Sequence, residues 1–132
     1  MPPGASLSVP GMSTKPRILV VDDDLSTVEA LSALLEDEGY EVSQAFNGKL
    51  ALNQLRTSPR PNAIILDLMM PVMDGWEFRR QQQQMADAAS IPVVVVSALR
   101  QAKPFDGAAA VLTKPLDIDA LLGVMNKICH PH

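Results

Sequence analysis

IILDLMMPVMDG, residues 64–75, runs apolar through Ile64, Ile65 and Leu66, presents one carboxylate at Asp67, and breaks at Pro71 and Asp74-Gly75. So short an apolar run, bounded by turn residues, reads as a buried strand rather than a helix. Asp67 then stands at the carboxyl end of that strand, where open α/β sheets place their ligand sites. The rest of the chain reads as scaffold and accessory groups for this one carboxylate.

Upstream, RILVV at 17–21 is a second apolar run, and it ends abruptly in Asp22, Asp23 and Asp24. It reads as a buried strand that delivers carboxylates at its end. Ser26 and Glu29 have capping-box spacing, and Val28, Leu31, Leu34 and Leu35 recur at helical period until Gly39 closes the helix. YEVSQA at 40–45 alternates as a strand, and Asn47 caps a short helix carrying Ala51, Leu52 and Leu55. Beyond the opening stretch, Asp74 caps a helix whose best core candidate is Phe78. IPVVVVSA at 91–98 is a β-branched run expected to be the central strand, and AAAVLTKP at 108–115 supplies a fifth. Asp117 opens a last helix with Ile118, Leu121, Leu122, Met125 and Ile128 in one stripe.

Alternating buried strands and amphipathic helices predict an α/β fold, a parallel sheet covered on both faces. Right-handed crossovers leave the flavodoxin-like, doubly wound order 2-1-3-4-5 as the natural topology. Strands 1 and 3 are then neighbours, and Asp22, Asp23 and Asp67 converge at one end of the sheet.

The 132 residues make one domain, with 47% hydrophobic and 20% charged residues, ordinary for a globular protein. A net charge of −4 argues against nucleic-acid or anionic-membrane partners, which demand basic patches. No apolar run approaches the roughly 20 residues of a membrane span. Cys129 is the only cysteine, so no internal disulfide forms and a reducing, cytoplasmic compartment is expected. Residues 1–16, rich in proline, glycine and serine, read as a disordered tail, with Met12 an alternative start. Residues 17–129 read as the domain, and 130–132 as a solvated end rather than a Cys–His metal cluster.

Three carboxylates this close need help to stay ionised, since two charges about 4 Å apart repel by about 4 kcal/mol at an effective dielectric near 20. A hard divalent cation relieves this, and Mg2+ uses one or two carboxylates plus water and phosphate oxygens. Ser97 and Lys114, at the ends of strands 4 and 5, face the same crevice. Acid pair, lone aspartate, hydroxyl and ammonium together suit phosphoryl transfer to a carboxylate nucleophile, which needs charge neutralisation and positioning. Asp24 reads as a solvated or capping residue, and Met69, Met70 and Met73 as loop or packing residues. Trp76 is left open between core packing and a partner anchor.

ILVVDDD at 18–24, LDLMMPVMDG at 66–75, VVVVSA at 93–98 and LTKP at 112–115 occur in one register. In these four motifs the chain resembles the receiver domain of bacterial two-component response regulators, over residues 17 to about 128. The resemblance implies that Asp67 is the phosphoacceptor, with Mg2+ held by Asp22, Asp23, Asp67 and the Met69 backbone carbonyl. It implies that Ser97 bonds the phosphoryl oxygens, that Lys114 pairs with Asp67 or the phosphate, and that a cis peptide precedes Pro115. A histidine kinase or phosphotransfer protein is the implied donor and an effector protein the implied recipient of the signal, and a homodimer is left open. The chain is expected to act as a stand-alone phosphoacceptor rather than an enzyme.

Two departures stand out. Ser97 and Lys114 lie only 17 residues apart (114 − 97), and Pro104 and Gly107 fall between them. The family's helix 4, between strands 4 and 5, is therefore expected to be shortened or absent. Val111 takes a place where the family commonly has an aromatic whose rotation reports phosphorylation, so output is expected through another surface or through the loop 98–108. The rival readings are a haloacid-dehalogenase-like phosphatase using Asp22 in Asp22-Asp23-Asp24, and a non-phosphorylated receiver-like docking module.

Overall fold

The computed structural model describes residues 15–98, 105 and 107–130. The elements run β1 (Arg17–Val21), α1 (Leu25–Asp37), β2 (Glu41–Ala45), α2 (Gly48–Thr57), β3 (Ala63–Leu66), α3 (Gly75–Gln83), β4 (Val93–Ser97), β5 (Ala110–Thr113) and α4 (Ile118–Cys129). All strand pairs are parallel, and the sheet order is β2-β1-β3-β4-β5, the flavodoxin-like order expected.

Alternation along the inner strands divides the core in two. Leu19, Val21, Ile64, Leu66, Val93 and Val95 meet Ala51, Leu52 and Phe78 from α2 and α3 on one face. Ile18, Val20, Ala63, Ile65, Val94 and Val96 meet Val28, Leu31, Leu35, Leu121 and Met125 from α1 and α4 on the other. Each fully buried Leu, Ile, Val or Phe stabilises the fold by about 1.5–3 kcal/mol, so the inner strands are held by both helical layers. The centre of the sheet is β3, not the Val-rich β4, because β4 has only the edge strand β5 beyond it. Burial on both faces gives β4 the same composition as a central strand.

Side chains of Asn47, Asp74 and Asp117 cap α2, α3 and α4 through the backbone N–H groups of Leu50, Glu77 and Ala120. The start of α1 differs from the expected Ser26–Glu29 box. Asp24 is the cap, and Ser26 is its partner, donating both its backbone N–H and its hydroxyl to Asp24. Gly39, at φ 95, closes α1 in the left-handed conformation that glycine adopts without a Cβ penalty. In α4, Leu121 and Met125 are buried whereas Ile118 is 39% exposed, so the stripe is narrower than its sequence spacing.

The fourth helix of the chain, Ile118–Cys129, is present and short, and it follows β5. Between β4 and β5 the described residues contain no helix, and residues 99–104 and 106 lie outside the described part. Val111 pairs in register with Val95 and shares its face, yet Val95 is fully buried and Val111 is 60% exposed. On that face Phe105 packs against the core, with the Arg79 guanidinium of α3 5.9 Å from its ring centroid.

Candidate functional site

Strand register builds the site. Val21 pairs with Leu66, so the next residues, Asp22 and Asp67, leave adjacent strands side by side. Backbone hydrogen bonds hold both: Asp22 donates to the Ala45 carbonyl at 3.2 Å, and Asp67 to the Val21 carbonyl at 2.9 Å. Across the sheet Ser97 pairs with Thr113, and Lys114 donates its backbone N–H to the Ser97 carbonyl at 2.9 Å. The peptide bond between Lys114 and Pro115 is cis, as expected.

Asp22, Asp67 and Ser97 are all buried, and Asp23 is exposed. One carboxylate oxygen from each of Asp22, Asp23 and Asp67 lies within 4.8 Å of the others. Lys114 donates to Asp22 Oδ2 at 3.0 Å and lies 3.8 Å from Asp67 Oδ2. The other Asp22 oxygen accepts the Asp24 backbone N–H at 3.0 Å. From the described residues Asp67 accepts a long 3.4 Å bond from the Met69 N–H.

This uneven support sets the electrostatics. Burial first, and repulsion from Asp22 after it, push the Asp67 carboxyl up to about 6 on balance. Attraction to Lys114 and the Met69 N–H pull it part of the way back. Burial alone would pull Lys114 down, but its hydrogen bond to Asp22 and attraction to Asp22 and Asp67 outweigh this and raise it. Asp24 is held below the ordinary carboxylate range by the hydroxyls of Thr27 and Ser26. Three converging hard oxygen donors, one ammonium against them, and one carboxyl with a raised affinity for a proton together fit a small divalent cation such as Mg2+.

Two glycines have a part in the site that their turn-like sequence context does not reveal. A Cβ on Gly75 would stand 2.8 Å from the Leu68 Cα and 3.0 Å from the Asp67 carbonyl oxygen. A Cβ on Gly48 would stand 2.9 Å from the Met73 carbonyl oxygen. The loop after Asp67 is thus pressed against bare backbone at the starts of α3 and α2. Within it Met73 donates to the Pro71 carbonyl at 2.7 Å around Val72, whose φ is 70. Met69 is exposed, Met70 is buried, and Met73 and the partly buried Trp76 pack against the core. At the far end, Cys129 is half-buried and the Tyr40 and His130 rings lie 6.0 Å apart. Among the described residues the Asp22, Asp23 and Asp67 group is the only candidate metal cluster, and His132 lies outside them.

The fold and site together define a class, and comparison with known proteins agrees. A family model described as the response regulator receiver domain matches residues 18–126. Protein PilH of Pseudomonas aeruginosa is 33% identical over 117 residues, covering 85% of this chain and 96% of that protein. Response regulator MprA of Mycobacterium tuberculosis is 39% identical over 117 residues, covering 85% of this chain and 50% of that protein. RpaA of Synechocystis, a DNA-binding dual master transcriptional regulator, is 38% identical over 112 residues, 81% of this chain and 46% of its own. This chain therefore spans about half the length of MprA and RpaA, and nearly all of PilH. Among solved structures, the chemotaxis response regulator CheY4 of Vibrio cholerae superposes with a TM-score of 0.79 at 30% identity, covering 87% of this chain and 99% of that one. The receiver domain of the Francisella response regulator 1452 gives 0.78 at 30% identity, covering 86% and 96%.

The chain belongs to the receiver domain family of two-component response regulators, which are phosphoacceptor signalling domains. Its described residues include no helix long and apolar enough to cross a membrane.

Proposed function

We propose that this domain accepts a phosphoryl group on Asp67 and passes the resulting signal to a protein partner. The observation that carries this reading is the position of Asp67, a buried carboxylate beside the Asp22–Asp23 pair and 3.8 Å from the Lys114 ammonium. An Asp67 oxygen forms the new bond to phosphorus as the phosphorus–nitrogen bond of a donor phosphohistidine breaks and the imidazole leaves. The donor is a histidine kinase or a phosphotransfer protein. Asp22, Asp23, Asp67 and the Met69 carbonyl would hold Mg2+, which neutralises the carboxylates and the incoming phosphoryl oxygens when bound. The Ser97 hydroxyl and the Lys114 ammonium would receive the remaining phosphoryl oxygens. The domain supports this transfer and the later loss of its own phosphoryl group, and turns over no separate substrate.

Two further observations support a reading of the output route. Val111 is exposed on β5, and the described Phe105 packs against the core with the Arg79 guanidinium near its ring. Signal then leaves through the β4–β5 loop or the loops around Asp67 rather than through an aromatic on β5.

Incubation with acetyl phosphate and Mg2+, followed by intact-mass measurement, tests the reading. One added phosphoryl group is expected on the native chain and on Asp22→Asn at a reduced rate, and none on Asp67→Asn. Phosphorylation that survives Asp67→Asn and disappears with Asp22→Asn would instead identify Asp22 as the nucleophile and refute the proposal.

A further inference from the structure

The geometry points to Asp24 as a positioning residue for the divalent cation, acting through Asp22 and not as a ligand. The inference rests on the cation reading of the site given above.

Asp24 is occupied on three sides. Its Oδ1 accepts the Ser26 backbone N–H at 3.2 Å and the Ser26 hydroxyl at 2.9 Å, and its Oδ2 accepts the Thr27 hydroxyl at 2.8 Å. These bonds turn its carboxylate into the first turn of α1, and the converging metal-competent group is Asp22, Asp23 and Asp67 without it. The same bonds hold the Asp24 backbone at φ −88 and ψ 108, the extended geometry of a cap residue. In that geometry its N–H donates to Asp22 Oδ1 at 3.0 Å. Lys114 takes Asp22 Oδ2 at 3.0 Å, so each oxygen of this carboxylate has its own donor from a different part of the fold.

Of these two donors the neutral Asp24 N–H, held by the helix cap, aims the carboxylate without competing with a cation for it, as the Lys114 ammonium does. The Asp22 backbone is itself fixed by its hydrogen bond to Ala45, so Asp23 is held between two anchored neighbours. Releasing the cap lets residue 24 rotate, removes the N–H from Asp22, and loosens the aim of both carboxylates. A ligand preorganised by outer hydrogen bonds binds its metal more tightly than one that must be ordered on binding. A capping side chain at position 24 needs an acceptor oxygen but no charge.

The test compares Asp24→Asn and Asp24→Ser, which keep a capping oxygen, with Asp24→Ala, which does not. Mg2+ is titrated into each full-length protein while the backbone amide NMR signals of residues 22–27 are followed. Hydrogen exchange of the Asp24 amide is measured without metal. Circular dichroism melts first confirm that each variant is folded, and Asp24→Gly, which lacks the acceptor oxygen but destabilises a helix start less than alanine, stands in should the alanine protein be unstable. The proposal expects Asn and Ser variants to bind Mg2+ within about threefold of the native protein. It expects Ala to bind about five- to tenfold more weakly, with Asp24 amide exchange at least about tenfold faster. An Asn variant as weak as Ala would mean that Asp24 acts by its charge or as a ligand, and overturns the proposal. So would an Ala variant that binds as tightly as the native chain. A native chain showing no Mg2+ saturation would overturn the cation reading first, which separates the two failures.

Discussion

The Lys114 ammonium is hydrogen-bonded to Asp22 at 3.0 Å and stands 3.8 Å from Asp67. The lysine therefore serves Asp22 first, and the carboxylate proposed to take the phosphoryl group is the less well compensated partner. That relationship organises the electrostatics around it and leads to the first prediction.

Replacing Lys114 by methionine keeps most of the apolar stem and removes the ammonium that competes with a cation for Asp22. Mg2+ should then bind more tightly, by about three- to tenfold, while the metal-free protein loses about 1–3 kcal/mol at pH 7.5 because three carboxylates are left facing one another. Mg2+ titration and urea unfolding in EDTA read the two effects. Weaker Mg2+ binding by Lys114→Met would show that the lysine supports the cation site rather than competing with it.

Asp67 is pushed up to about 6 by burial and by Asp22, so the metal-free folded state holds its proton more tightly than the unfolded chain. The stability linked to that proton is complete below pH about 4 and is lost as the pH rises through about 6. Asp67→Asn, which stays neutral, should therefore be more stable than the native chain by about 2–3 kcal/mol at pH 7.5 in EDTA. The advantage should close below pH about 4. Equal differences in urea midpoint at the two pH values would rule out the shifted titration.

Gly75 begins α3, where alanine would be the better helix former, yet its Cβ would meet Leu68 Cα at 2.8 Å and the Asp67 carbonyl at 3.0 Å. Gly75→Ala should cost about 1–3 kcal/mol despite the gain in helix propensity. It should also slow acetyl phosphate labelling, because the displaced backbone is that of the acceptor itself. A variant as stable and as reactive as the native chain would show that the loop shifts freely.

Val72 is 76% exposed and has φ 70, a conformation a β-branched side chain rarely adopts. Its side chain stabilises nothing that offsets that strain. Glycine takes positive φ without a Cβ penalty, so Val72→Gly should stabilise the fold by up to about 1 kcal/mol, or roughly 3 °C in Tm. A lowered Tm would mean that the exposed valine makes a contact the strain argument neglects.

Much of the fold was legible because burial on both faces writes strands as unbroken apolar runs, as in Ile64–Leu66 and Val93–Val96. Their order among amphipathic helices leaves few topologies. The candidate site was legible for a related reason: each of Asp22, Asp67, Ser97 and Lys114 lies where an apolar run ends, and parallel strands bring those ends to one edge. Composition misled where two environments demand the same residues. The valines of β4 marked full burial but not the sheet centre, and Ser26 had the spacing of a cap while Asp24, two residues earlier, occupied that position.

The sequence by itself determined which side chains reach the carboxyl edge of the sheet, since strand periodicity and run boundaries are local properties. Only the tertiary structure decided how those groups share one another. It chose Asp22 over Asp67 for Lys114, tied Asp24 to Asp22 through a backbone N–H, and pressed Gly75 against the carbonyl of Asp67. The first of these joins residues 92 positions apart, the other two depend on how the backbone turns around each carboxylate, and spacing along a chain carries no information about which oxygen lies nearer.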